Sequence, residues 1–70
     1  MDARARFSKN LRHERTERGL SQMALGNLAG LHFSEISLLE RGGRDPRLST
    51  IAKLAHALKI PAAQLLDGVN

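Results

Sequence analysis

His13, His32 and His56 are the side chains best suited to proton transfer or metal binding, and they lie too far apart in sequence to share an ion. No cysteine is present, which removes disulfides, thiolate metal sites and a Cys nucleophile together. No nucleophile stands beside a base and an orienting group, and no glycine-rich phosphate loop occurs. These residue types therefore argue against an enzyme and against a metal or other cofactor. What the sequence does carry is positive charge. Eleven Lys and Arg oppose seven Asp and Glu, giving a net charge of +4 and a pI near 10.8. A basic surface attracts polyanions, of which nucleic acid is the commonest.

The elements that must position these charges are helical. Seventy residues suffice for one small domain, taken as 1–70, with one modest core. Phe7 and Leu11 stand four apart, and Arg15 continues their stripe, as in an amphipathic first helix. Gly19 ends it. Ser21 has the chemistry of an N-cap for a second helix carrying Leu25, Leu28 and Ala29. Gly30 stops that helix. A third carries Ile36 and Leu39 and stops at Gly42 and Gly43. The Gly42 to Arg47 stretch is a loop by composition. Leu48, Ile51, Leu54, Ala55 and Leu58 repeat at threes and fours, which predicts a fourth helix. Pro61 suits the first turn of a short fifth one. The five helices are expected at about 3–18, 21–29, 32–41, 48–58 and 61–67. No stretch alternates like a strand. Apolar runs are too short to span a membrane, and no signal peptide is visible, so the cytoplasm is the expected location. The initiating Met1 and the full set of helices are read as a whole protein rather than an excised piece.

Small residues at Gly26 and Gly30, with apolar ones at Leu25, Ala29, Leu31, Ile36 and Leu39, suit two short helices crossing steeply. Gly26 lets the helices approach closely, and Gly30 permits the positive φ of a tight turn. Here the chain resembles the Cro/phage-repressor (XRE-type) helix-turn-helix family, from about Phe7 to Asp67. The pieces that carry the likeness are Leu11-Arg12-x-x-Arg15, Gly19-Leu20-Ser21-Gln22, Leu25-Gly26, Ala29-Gly30-Leu31, Ile36-Ser37-x-Leu39-Glu40-Arg41-Gly42, Arg44-Asp45-Pro46, Leu54-Ala55-x-Ala57-Leu58-x-Ile60 and Leu65-Leu66. Any one is weak; their order and spacing are specific. The run from Glu40 to Pro46 looks most like restriction-modification controller proteins and small phage or antitoxin repressors. The likeness does not choose among these, nor say whether a toxin or restriction system accompanies the chain.

The resemblance implies an all-α, lambda-repressor-like domain of five helices with helices two and three as the helix-turn-helix. It implies sequence-specific binding of double-stranded DNA as a homodimer on a palindrome, with the third helix in the major groove. With Ile36 and Leu39 turned inward, Ser34, Ser37, Leu38 and Arg41 face out, and Phe33 lies at the flank. His32 at the helix start would meet a phosphate or a base. Ser34 and Ser37 can donate or accept, Phe33 can rest on a thymine methyl, and Glu35 can accept from a cytosine amino group. Many relatives carry Arg or Gln at one or more of these positions; apart from Arg41, this chain does not. Gln22 opens helix two, where the family anchors to the DNA backbone. Arg41, Arg44 and Arg47 would clasp phosphates, while Lys53 has no assigned place. Arg15 and Glu40, two charges near the inward side, are expected to pair, as relatives link these positions. Ile60, Pro61, Ala62, Leu65 and Leu66 are expected to supply the dimer contact. The rival reading is a protein-interaction module on the same fold that does not read DNA.

Overall fold

The computed structural model describes residues 2–70; Met1, and with it the reading of Met1 as the start of a whole protein, lies outside the described residues. Five helices follow in order: α1 (Ala3–Glu17), α2 (Gln22–Ala29), α3 (Phe33–Glu40), α4 (Leu48–Leu58) and α5 (Ala62–Leu65). No strand occurs among the described residues.

Local chemistry sets most boundaries. The Asp2 carboxylate accepts from the Ala5 amide at 2.8 Å and starts α1. Ser21 caps α2 as expected, its hydroxyl accepting from the Ala24 amide at 2.9 Å. Gly30 ends α2 in the left-handed region, at φ 73°. Other boundaries differ from expectation by a residue or more. Arg18 caps α1 rather than extending it, and Arg41 does the same for α3. His32 stands outside α3 as its N-cap. Pro61 precedes α5, which ends at Leu65 because the Gln64 and Leu66 amides turn back to Pro61 and Ala63 in tight three-residue steps.

Every helix contributes to one core. Phe7 and Leu11 come from α1, Leu25 from α2, Ile36 and Leu39 from α3, Ile51, Leu54, Ala55 and Leu58 from α4, and Leu65 from α5. Burying each large side chain is worth about 1.5–3 kcal/mol. Two members of the expected apolar stripes do not join them. Leu28 is 61% exposed and Leu48 82% exposed. Leu48 is the first residue of α4, so the chain there has only just reached the core. Leu65 corrects the expectation of a dimer contact there: it is fully buried in the core of the single chain and has no surface left for a partner.

Polar ties hold α1 to the rest. The Ser8 hydroxyl donates to the Leu39 carbonyl at 2.6 Å, with the Arg4 carbonyl at 2.7 Å. Asn10 donates to the Leu65 and Asp67 carbonyls at 2.9 and 2.8 Å, fixing the C-terminal end. Glu14 accepts from Gln64 at 2.9 Å and Arg18 at 2.8 Å. The Gln64 bond, against the opposing effect of burial and with help from Arg18, holds the Glu14 carboxyl below the usual carboxylate range.

Candidate nucleic-acid interface

The helix-turn-helix is built at Gly26. The Leu31 amide donates to the Gly26 carbonyl at 2.8 Å and closes the turn after α2. A Cβ on Gly26 would meet the Leu31 carbonyl oxygen at 2.5 Å. The close approach is therefore to the turn backbone and the first residues of α3. Gly26 and Gly30 together bring the start of α3 to the surface.

That start is an exposed tripeptide. His32, Phe33 and Ser34 are all open to solvent, Phe33 at 45%. Phe33 therefore does not turn into the core. Its ring lies 4.7 Å from that of His32, tilted by 31°. Nδ1 of His32 accepts from the Ser34 amide at 3.1 Å and lies 2.7 Å from the Ser34 hydroxyl. His32 is thus both an exposed ring and the cap of the helix that carries it.

The remaining face of α3 is less open than expected. Ser37 and Leu38 are half-buried. The Gly43 amide returns to the Leu38 carbonyl at 3.0 Å, folding the chain over the last turn. A Cβ at Gly43 would lie only 2.6 Å from the Leu38 Cδ1. Leu38 thus packs partly against this turn and keeps only part of its surface open. Arg41 is exposed, its Nε donating back to the Ser37 carbonyl at 3.3 Å.

Beside α3 lies a depression of about 290 Å³ whose lining includes Glu35, Arg44, Arg47, Ser49 and Lys53. Arg44 and Arg47 come from the loop before α4, and Lys53 from α4 itself. The fold thus gathers three cations and one carboxylate next to the exposed end of α3. Sequence reasoning missed Lys53. Its spacing of four from Ser49 on a helix was the available signal, since residues four apart share a face. Arg4 from α1 reaches the same loop, its Nε 3.1 Å from Asp45, on an exposed surface where such pairs contribute little.

Arg15 and Glu40 meet as expected. Arg15 Nε donates to Glu40 Oε2 at 2.6 Å and Nη2 to Oε1 at 2.9 Å, a two-pronged pair. Nη1 donates to the Leu20 carbonyl at 2.7 Å. The hydrogen bond to Glu40, partly opposed by burial, raises the Arg15 pKa further above its ordinary value. Gln22 joins this network. Its Nε2 donates to Glu40 Oε1 at 3.2 Å, and the side chain is half-buried. One amide hydrogen of the expected backbone anchor is therefore engaged inside the protein, and one remains. The network ties the start of α2 to the end of α3, fixing the angle between them. Of the residues expected at a dimer contact, Ile60 and Leu66 are half-buried against the core, while Pro61 and Ala62 are exposed. No helix of the described residues is long and apolar enough to cross a membrane.

Known proteins share this arrangement. The family model described as Helix-turn-helix matches residues 11–65. Control protein C.SmaI of Serratia marcescens is 38% identical over 66 residues, covering 94% of this chain and 79% of that protein. The crystal structure of the restriction-modification controller protein C.AhdI from Aeromonas hydrophila superposes with a TM-score of 0.87 at 44% identity, over 89% of this chain and 94% of that one. The DNA-binding domain of the P22 c2 repressor gives a TM-score of 0.83 at 29% identity, over 89% of this chain and 82% of that one. With the five-helix arrangement and the exposed start of α3, these matches place the chain in the helix-turn-helix (XRE-type) family of DNA-binding transcriptional regulators.

Proposed function

We propose that the chain acts as a homodimer on a palindromic operator, with α3 entering the major groove by its N-terminal end. The observation that carries this reading is the exposed His32-Phe33-Ser34 end of α3 beside Arg44, Arg47 and Lys53. Base edges would be met by the first group and flanking phosphates by the second. Glu35 lies between them, where it repels phosphate and accepts from a base amino group. A role of the controller kind is supported by coverage: the chain spans 79% of C.SmaI and 94% of C.AhdI, so those proteins are little longer than this domain.

The test is a salt titration of binding on a duplex selected from random DNA and on an unrelated duplex. Arg44→Ala should weaken binding to both and lower the slope of log affinity against log salt by about one unit per bound protomer, about two for the dimer, because each copy then releases one fewer counterion. Ser37→Ala should cost about 1 kcal/mol per half-site on the selected duplex alone, with the slope unchanged. The reverse pattern would mean that α3 is oriented differently. No binding to any duplex would point to an interaction module instead.

One small recognition surface gives little specificity, and two copies on half-sites about one helical turn apart supply the rest. With Leu65 committed to the core, Pro61 and Ala62 and the open parts of Ile60 and Leu66 are the apolar surface available for a two-fold contact. Ala62→Asp should shift the protein to monomer in sedimentation while leaving its helix content intact. Wild-type protein that stays monomeric at high micromolar concentration, with and without DNA, would exclude this contact.

A further inference from the structure

We infer that the cap of α3 fixes the hydrogen-bonding sense of Ser34, leaving its hydroxyl oxygen as a pure acceptor for the exocyclic amino group of an adenine or a cytosine. The inference rests on α3 lying in the major groove.

The argument is a count of protons. Nδ1 of an imidazole has one in-plane position, holding either a proton or a lone pair. The Ser34 amide donates to Nδ1 of His32 at 3.1 Å. A proton on Nδ1 would crowd the amide hydrogen, so Nδ1 is assigned the lone pair, which the amide and the hydroxyl share. The neutral ring then has its proton on Nε2. The Ser34 hydroxyl oxygen stands 2.7 Å from the same Nδ1. Two lone pairs facing one another at that distance repel, so the hydroxyl turns its proton to Nδ1. A serine has only one such proton. Once it is committed, the oxygen can only accept.

A free serine is a poor reader because it donates or accepts as required. This one is restricted. In the major groove the donors are adenine N6 and cytosine N4; guanine O6, thymine O4 and the purine N7 atoms are acceptors. An acceptor-only oxygen favours the first set and is repelled by the second. His32 is the positioning residue. The Phe33 ring at 4.7 Å braces its imidazole, and the exposed Nε2–H remains a donor. No Arg or Gln stands at positions 32–35, the exposed start of this face. The cap gives an ambivalent residue a definite preference in its place.

Two measurements test this. The first is a histidine 15N NMR spectrum of the whole chain at mildly alkaline pH, where an imidazole is neutral. The His32 signals are assigned by their loss in His32→Gly, since glycine is tolerated at an N-cap. The expected result is the Nε2–H form. The Nδ1–H form would overturn the inference without touching the DNA-binding reading. The second uses a duplex selected from random DNA, with single adenines replaced by purine or single cytosines by 2-pyrimidinone, each lacking only its amino group. Wild type should lose roughly five- to tenfold in affinity at one position per half-site. Ser34→Ala, which removes the contact from both half-sites, should bind the unmodified duplex roughly 25- to 100-fold more weakly and lose nothing further on the modified one. Coupling of Ser34 to 7-deazapurines, which lack an acceptor, or to no base at all, would overturn the inference. Failure of the chain to retrieve any duplex, with His32 in the Nε2–H form, would instead defeat the DNA-binding reading beneath it.

Discussion

Arg15→Ala is expected to destabilise the protein by about 3–5 kcal/mol. The carboxylate it leaves behind is the reason. The Glu40 side chain is only 4% exposed, and that of Arg15 13%. Without Arg15, Glu40 keeps one neutral donor, Gln22 at 3.2 Å, and the Leu20 carbonyl loses its partner as well. A buried charge so poorly compensated costs far more than the pair was worth. The Arg4–Asp45 pair provides the contrast. Its side chains are 50% and 82% exposed, and removing either should change stability by less than about 1 kcal/mol. For a domain whose total stability is of the order of 5–15 kcal/mol, the first loss is a large fraction and the second is not. Arg15→Lys should not rescue, because one ammonium cannot reproduce the two-pronged geometry. Replacing both residues, Arg15→Met with Glu40→Leu, should recover much of the loss, since no charge is then stranded. Urea unfolding of the single and double variants measures this as a cycle. Additive effects would mean that the two side chains do not act on one another.

This pair was legible in the sequence because helical spacing and charge pointed the same way. Arg15 continued the Phe7–Leu11 stripe, and Glu40 fell one turn after Ile36. The Ser21 cap and the left-handed Gly30 were legible for a similar reason: each residue type has a strong local preference that the fold does not override. Leu28 and Leu48 were misleading. Periodicity gives the direction of a side chain along its own helix, not whether another helix lies opposite. Leu65 and Leu66 could not be told apart, because α5 is a single turn and four residues hold too little periodicity to decide. The sequence places His32 at the helix start, near a phosphate or a base, but does not mark it as a cap. Imidazole is not among the preferred cap groups, and its role depends on one rotamer that only the folded turn selects. Lys53 shares a helix face with Ser49, but that Arg44 and Arg47 line the same depression depends on the path of a loop, which no period encodes.

Gly26→Ala is the substitution for which intrinsic preference and tertiary structure disagree most. Gly26 lies inside α2, where alanine is the better helix former by about 1 kcal/mol. On local grounds the change should stabilise. The new methyl, however, would stand 2.5 Å from the Leu31 carbonyl oxygen, 3.4 Å from the Phe33 nitrogen and 3.6 Å from the His32 carbonyl carbon. All three are backbone atoms, so no rotamer change relieves the contact. Relief requires the turn to move, which stretches the 2.8 Å bond from the Leu31 amide to the Gly26 carbonyl and swings the start of α3 away from α2. Overpacking of this kind costs about 1–3 kcal/mol and occasionally more, so the net effect expected is a loss of about 2 kcal/mol. Gly30→Ala is the control. Its Cβ would meet nothing within 4 Å, and its φ of 73° leaves a strain of only about 1–2 kcal/mol. The two variants should separate more clearly in DNA binding than in stability. Compared at a temperature where both are folded, Gly26→Ala should bind the selected duplex at least about tenfold more weakly, because a 1 Å displacement at a recognition surface forfeits its hydrogen bonds. Gly30→Ala should bind nearly as wild type. A Gly26→Ala protein more stable than wild type, with unchanged affinity, would show that helix propensity wins here and that the close approach of the turn to α2 does not set the position of α3.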